Sequence, residues 1–327
     1  MQNRESVPEI DRHTRAVVAL DVGGTTIKSA VVGDDGALIG PVSTDPIDPS
    51  RSAKDLIDSL LTVVKKQITR AVFNRCKVLG VAMAFPGPFD YKRGISLIKG
   101  VGKYEALYGI NLGNELRKRL SSSGKLPIVF EADSWAFAQG QYWKGAARGI
   151  ERVIAISIGT GLGSAFLEKG RILQSERGIP EYSWIGNIAY GDGILDDTVS
   201  RRGIIKRYLS LARAHGQSGG LIDVEDLFNS AERGNTIAIQ TFEETGYILG
   251  EALNVYLNEF RPGCVVIGGG ISGAFDYLLP GLKRAIAREG ECVWKTEIVK
   301  AVDIDSCTLG GVTLYFLSQK DELLGAQ

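Results

Sequence analysis

Two stretches of the chain share one pattern: VALDVGGTTIKSAVV from Val18 and IAISIGTGLGSAFLE from Ile154. Each runs from an apolar strand through a glycine turn into a second apolar strand. At a constant offset Ala19 falls on Ala155, Val22 on Ile158, Gly23 on Gly159 and Val32 on Glu168. A charged glycine turn then follows in both, Gly33-Asp34-Asp35-Gly36 in the first and Lys169-Gly170 in the second, and leads to a third run, residues 37–39 in the first copy. A repeated strand meander predicts a chain built from two related lobes.

The rest of the pattern alternates helices with strands. Residues 52–70 predict a helix, 77–85 a buried strand ending at Pro86-Gly87-Pro88, 114–120 a short helix and 127–130 a strand. Residues 134–149 read as a helix ending at glycine. Residues 240–260 read as another, broken by Arg261-Pro262-Gly263 before a strand at 264–267 and a helix at 275–289. With 327 residues, 44% of them hydrophobic, the chain can build about two domains.

Lys plus Arg equal Asp plus Glu at 38 each, so charge gives no case for nucleic acid or membrane binding. Cys76, Cys264, Cys292 and Cys307 are scattered and predict reduced thiols in a cytoplasmic protein. No apolar stretch reaches the roughly 18 residues of a membrane helix. The polar first residues, 1–15, are expected to form a flexible tail without a signal peptide. His13 and His215, the two histidines, are expected on the surface.

Three glycine turns follow apolar strands: Gly23-Gly24-Thr25-Thr26, Gly159-Thr160-Gly161 and Gly268-Gly269-Gly270. Glycine lets backbone N–H groups approach an anion, and threonine adds hydroxyl donors. The third turn also matches G-x-G-x-x-G through Gly273, which suggests a dinucleotide fingerprint. Its late position and the lack of an acidic ribose partner, Glu289 falling at a helix end, weaken that match.

Six ordered blocks carry a family resemblance: ALDVGGTTIKSAVV, GVAMAFPGPFD, PIVFEADSWAFAQG, AISIGTGLGSAFLEKGRI, VVIGGGISGAFDYLLPGLKRAI and TLGGVTLYFL. Together they resemble the ROK family of repressors and sugar kinases, over residues 17–317. The resemblance implies an α/β, two-lobed actin-like ATPase (ribonuclease H-like) fold with a duplicated meander core and ATP in an interlobe cleft. The lobes are expected at 16–146 plus 312–327, carrying acceptor site and catalytic aspartate, and at 147–311, carrying nucleotide and dimer contacts. Asp21 would help hold Mg²⁺ through water. Gly23, Gly24, Thr25 and Thr26 would face the β- and γ-phosphates, Gly159, Thr160 and Gly161 would form the second phosphate loop, and Gly268, Gly269 and Gly270 would lie beside the nucleoside. Pro86 and Gly87 resemble the wall near the acceptor, and Asp133 the base that takes the acceptor hydroxyl's proton. Asp133 also suits the N-cap of the following helix.

The sequence departs from the family on the acceptor side. Ala132 stands where an asparagine contacts a sugar hydroxyl, and Trp135 where a small polar residue is common, as core filling or a ring-stacking face. The expected E-x-G-H segment and cysteine-rich zinc block have no histidine or cysteine over residues 175–205. Glu181 is the nearest match to the sugar-contacting glutamate. The expectation is therefore a zinc-free, cytoplasmic, homodimeric kinase using ATP and Mg²⁺ on a sugar or sugar-like hydroxyl, with an acceptor other than plain glucose. Two alternatives stand beside it. One is a non-catalytic sugar-sensing regulator of the same fold, against which the retained Asp21 and Asp133 argue, and the other is an NAD-dependent oxidoreductase. A DNA-binding repressor is not expected, since the sixteen residues before Val17 leave no room for a helix-turn-helix.

Overall fold

The computed structural model describes residues 14–120, 126–176, 178–217, 220, 223–287 and 296–325. Residues 1–13 of the expected tail with His13, the end of the expected 275–289 helix with Glu289, and Cys292 lie outside them. The chain divides into two units. The first takes the residues up to Met83, Gly87–Phe130 and those from Phe316 onward; the second takes Ala84–Pro86 and Glu131–Tyr315.

In the first unit β1 (Arg15–Val22), β2 (Thr26–Gly33) and β3 (Ser43–Pro46) form an antiparallel meander, followed by helix α1 (Ala53–Phe73) and strand β4 (Lys77–Phe85). A small hairpin, β5 (Phe89–Asp90) and β6 (Ile95–Ser96), precedes α2 (Leu112–Leu120) and β7 (Ile128–Ala132). The sheet order is β3-β2-β1-β4-β7. The expected third strand at 37–39 makes only an isolated bridge, Val32 to Leu38. Ala37 is spent on the turn: its carbonyl accepts from Gly33 N–H at 2.8 Å and its N–H donates to Asp35 Oδ1 at 2.9 Å. Pairing with β2 is taken up further on, by Ser43–Pro46. Ser52 caps α1, whose buried face of Leu56, Ile57, Leu60, Leu61 and Val64 has the three-and-four spacing of an amphipathic helix.

The second unit opens with α3 (Asp133–Trp143) and a second meander, β8 (Arg152–Ile158), β9 (Leu162–Glu168) and β10 (Arg171–Leu173). A two-strand hairpin, β11 (Ala189–Tyr190) and β12 (Gly193–Ile194), leads to helices α4 (Leu195–Val199), α5 (Arg201–Ala214), α6 (Val224–Glu232) and α7 (Thr236–Glu259). Then come β13 (Cys264–Gly268), α8 (Phe275–Ala287), β14 (Glu297–Lys300) and α9 (Ile304–Gly325). The sheet order is β10-β9-β8-β13-β14, with β13 parallel to both neighbours. Each unit's sheet thus places its strands third, second, first, fourth, fifth, so the duplication is real. Alternation along β8 serves two cores. Ile154, Ile156 and Ile158 join the large core with α7 and α8, while Val153 and Ala155 face the smaller one with Phe137 and Ala138 of α3.

The repeat needs one correction. Val22 pairs with Ile27 across the first turn, but Ile158 pairs with Leu162 across the second, which is one residue shorter. Val17 pairs with Val32 and the matching Val153 with Leu167, so Leu167 and not Glu168 is the counterpart of Val32. Both are fully buried, which a strict offset onto a glutamate could not satisfy.

The unit boundary also differs from the expected 146/147. It falls at 130/131, because α3 buries Phe137 and Ala138 in the smaller core of the second unit; Asp133 therefore belongs there. Trp135 packs against the same core, so its filling role is met. The helix stops at Trp143 rather than 149. Gln141 Oε1 accepts the Ala146 N–H at 3.0 Å and Gln141 Nε2 donates to Val302 O at 2.7 Å, drawing the chain out of the helical path. Gly311, in the TLGGV block, belongs to packing: a Cβ there would lie 1.9 Å from Ala136 O, so α9 and α3 touch backbone to backbone.

Candidate active site

In the first unit, Asp21 near the end of β1 is half-buried, and its partner across the hairpin is Lys28 of β2. Opposite charges facing each other across antiparallel strands stabilise the pair. Lys28 thus supplies one reason why an apolar strand tolerates a carboxylate. No motif singles out Lys28, and the hairpin register alone brings it opposite Asp21.

The carbonyls of the turn after Asp21 are bound inward. Gly23 O accepts from the Tyr104 hydroxyl at 2.6 Å, Thr25 O from Ile47 N–H at 2.9 Å, and Thr26 O from Gly23 N–H at 2.9 Å. Among the described residues, no acceptor meets the N–H groups of Gly24 and Thr25. A Cβ on Gly24 would find nothing within 4 Å. Satisfied carbonyls beside spare amides make a nest for an anion.

The second unit repeats the arrangement. Gly159 O accepts from Arg201 N–H at 2.9 Å and Gly161 O from Gly159 N–H at 2.9 Å. The amides of Thr160 and Gly161 meet no acceptor among the described residues. Asp196, buried and part of no motif that the sequence shows, supports this turn. Its carboxylate accepts from Leu162 N–H and pairs with Arg202.

The third turn divides. A Cβ on Gly268 would lie 2.5 Å from the Phe137 ring, and Gly269, at φ +90°, would put one 2.4 Å from Ile158 O. Packing and backbone therefore require both glycines. Gly270 is exposed, with nothing within 4 Å of a Cβ, and is the one left open toward a ligand. The dinucleotide fingerprint fails on topology: β13 lies beside β8 in a sheet whose first three strands are antiparallel, not in a doubly wound parallel sheet.

Asp133 is exposed at the first position of α3, and Ala132 occupies the cap. This corrects the expected N-cap placement. Asp133 Oδ1 still accepts one of the helix's spare donors, Ser134 N–H, at 2.7 Å. A Cβ on Gly163 would lie 2.9 Å from Ser134 Cβ, so the start of α3 packs onto β9 two residues past Gly161. Asp133 and the second glycine turn are thereby neighbours within one unit. Pro86 is buried and Gly87 exposed in the bend after β4.

Glu181 is exposed, and the segment beside the turn is the one that follows it. Trp184 Nε1 donates to Leu162 O at 2.6 Å, Ser164 Oγ donates to Ser183 O at 2.6 Å, and Phe166 N–H donates to Ser183 Oγ at 2.8 Å. Tyr182 and Ser183 hold left-handed φ values of 54° and 59°, uncommon for side-chain-bearing residues. Trp184 keeps 38% of its surface exposed beside Leu162. No composition or motif marks Trp184, because its bond to Leu162 is a tertiary contact.

Glu131, two residues before Asp133, is 3% exposed and accepts from Ala132 N–H at 3.0 Å. Burial pushes its carboxyl from 4.5 up to about 8, the hydrogen bond opposing the rise. Between those pH values the folded chain holds a proton that the unfolded chain has lost. The stabilisation is complete below about pH 4.5 and is lost as pH rises to about 8. The advantage of Glu131→Gln over wild type in urea unfolding should therefore grow from pH 5 to pH 8 and then level off; a pH-independent difference would refute the shift.

Taken unit by unit, the spare amides of Gly24 and Thr25 and those of Thr160 and Gly161 each suit an anion such as a phosphate group. Among the described residues no three His, Cys, Asp or Glu side chains gather to hold a metal. A divalent cation beside Asp21 would thus take its ligands mainly from phosphate and water, as Mg²⁺ does. Burial pushes the Cys264 and Cys307 thiols up to about 11, which suits inert core residues.

The ROK family model matches residues 17–318. A glucokinase of Halalkalibacterium halodurans is 26% identical over 290 residues, covering 83% of this chain and 84% of its own length. The structure of a ROK glucokinase from Streptomyces griseus with glucose and AMPPNP superposes with a TM-score of 0.73 at 22% identity, covering 92% of this chain and 98% of the other. A ROK transcriptional regulator, a homologue of the E. coli MLC protein, gives 0.78 at 22%, covering 96% and 80%. Duplicated sheets, paired glycine turns and a family match over nearly the whole chain agree: the protein belongs to the ROK family and has the actin-like ATPase fold.

Proposed function

We propose that the protein is a kinase that uses ATP and Mg²⁺ to phosphorylate a hydroxyl of a sugar or sugar-like acceptor. One observation carries this most directly. Both hairpin turns bind their carbonyls inward and keep two amides spare, at the same place in each repeat. In the first unit Gly24, Thr25 and Thr26 receive the β- and γ-phosphates, and Asp21 steadies hydrated Mg²⁺. In the second, Thr160 and Gly161 receive phosphate while Gly270 lies beside the nucleoside. Bound ATP supplies the phosphoryl group, and Mg²⁺ offsets its charge.

Asp133 takes the acceptor's proton on a carboxylate oxygen. Exposed at the first position of α3, it is open to accept as the hydroxyl is committed to attack. Pro86, Gly87 and Glu181 stand on the acceptor side, joined by Trp184. Ala132 leaves one polar acceptor contact unmade, so the acceptor differs from plain glucose.

ADP release measured over hexoses, amino sugars, cyclitols and other polyols tests the proposal. Acceptor-dependent ADP formation, with an acceptor other than glucose giving the highest kcat/KM, is the expected result. Sugar binding without ADP release from any acceptor would favour the regulator, in line with the likeness to the MLC homologue.

A further inference from the structure

Tyr104 is fully buried and holds φ +57°, where an aromatic residue rarely sits. Its hydroxyl donates to Gly23 O at 2.6 Å, and its N–H donates to Pro49 O at 2.9 Å. The loop before it is gathered by the next residue. The Glu105 carboxylate accepts from three successive amides, Gly100 at 2.9 Å, Val101 at 2.6 Å and Gly102 at 2.8 Å. These bonds hold Glu105 below the usual carboxylate range. Burial and the nearby Asp21 charge push the Tyr104 phenol up, so it remains a donor.

The peptide plane explains what the hydroxyl does. Gly23 O and Gly24 N–H belong to one trans amide and point in opposite directions. Two adjacent glycines let such a plane rotate at little steric cost. Fixing the oxygen therefore fixes the amide hydrogen.

We infer that Tyr104 is a positioning residue for the first glycine turn, holding the Gly23 carbonyl so that Gly24 N–H stays turned toward the nucleotide's phosphates. This rests on the kinase proposed above. Glu105 is the latch that folds the loop around Tyr104.

Tyr104→Phe removes the hydroxyl and keeps the ring. KM and Kd for Mg·ATP are expected to rise about tenfold, the loss of one buried hydrogen bond, with kcat and acceptor KM changed far less. Hydrogen exchange in a peptide covering residues 20–30 should quicken without nucleotide. Glu105→Gln, which leaves Tyr104 intact, should show the same two changes more weakly, and it replaces Tyr104→Phe should that variant not fold. Unchanged exchange with nucleotide affinity within twofold of wild type would overturn the role, as would a rise in nucleotide and acceptor KM together in step with a fall in Tm. Wild-type protein that binds no Mg·ATP would instead refute the kinase proposal and the inference with it; a faster-exchanging turn in the variant would then mark Tyr104 as a structural clamp alone.

Discussion

Asp133→Asn is expected to lower kcat by roughly 10²–10⁴, the worth of a general base. ATP affinity and unfolding temperature should change little. Asparagine keeps the oxygen that accepts Ser134 N–H at 2.7 Å, so the start of α3 stays intact while the proton acceptor is gone. Asp133→Ala loses that bond as well and should add a stability loss of about 0.5–1.5 kcal/mol. Measuring kcat, nucleotide binding and thermal unfolding on all three proteins separates chemistry from helix stability. A near-normal kcat in the asparagine variant would remove Asp133 from the mechanism and weaken the kinase proposal.

Two glycines that look alike in the sequence should respond in opposite ways. Gly24 is not in the left-handed region, and nothing lies within 4 Å of a Cβ there, so alanine should leave stability nearly unchanged. The added methyl occupies the space assigned to phosphate. Mg·ATP binding should weaken roughly ten- to a hundredfold, the worth of one charge-assisted hydrogen bond. Gly269→Ala should instead lower stability, since φ +90° and a contact of 2.4 Å with Ile158 O strain any side chain. Denaturation and isothermal titration of both variants decide it. Tight nucleotide binding by Gly24→Ala would mean the first turn does not cradle phosphate.

The sequence by itself determined the local elements and their duplication, because strand alternation and glycine turns act over a few residues. Asp21, the paired turns and Asp133 all sit in such short blocks, and the order of those blocks carried the family. It could not determine that the second turn is one residue shorter, since the offset matched well until the buried Leu167 demanded a different register. Nor could it sort glycines that serve packing from those left open. Gly311 meets Ala136 and Gly269 meets Ile158 across the fold, while Gly24 and Gly270 meet nothing, and only folded backbones define those spaces. Tyr104 lies 81 residues from the carbonyl it holds, and Trp184 lies 22 from Leu162. Such bonds depend on which segments the cores bring together, not on local propensity. The tertiary structure alone also moved α3, and Asp133 with it, into the second unit, because the burial of Phe137 and Ala138 against β8 and β9 outweighs nearness in sequence to β7.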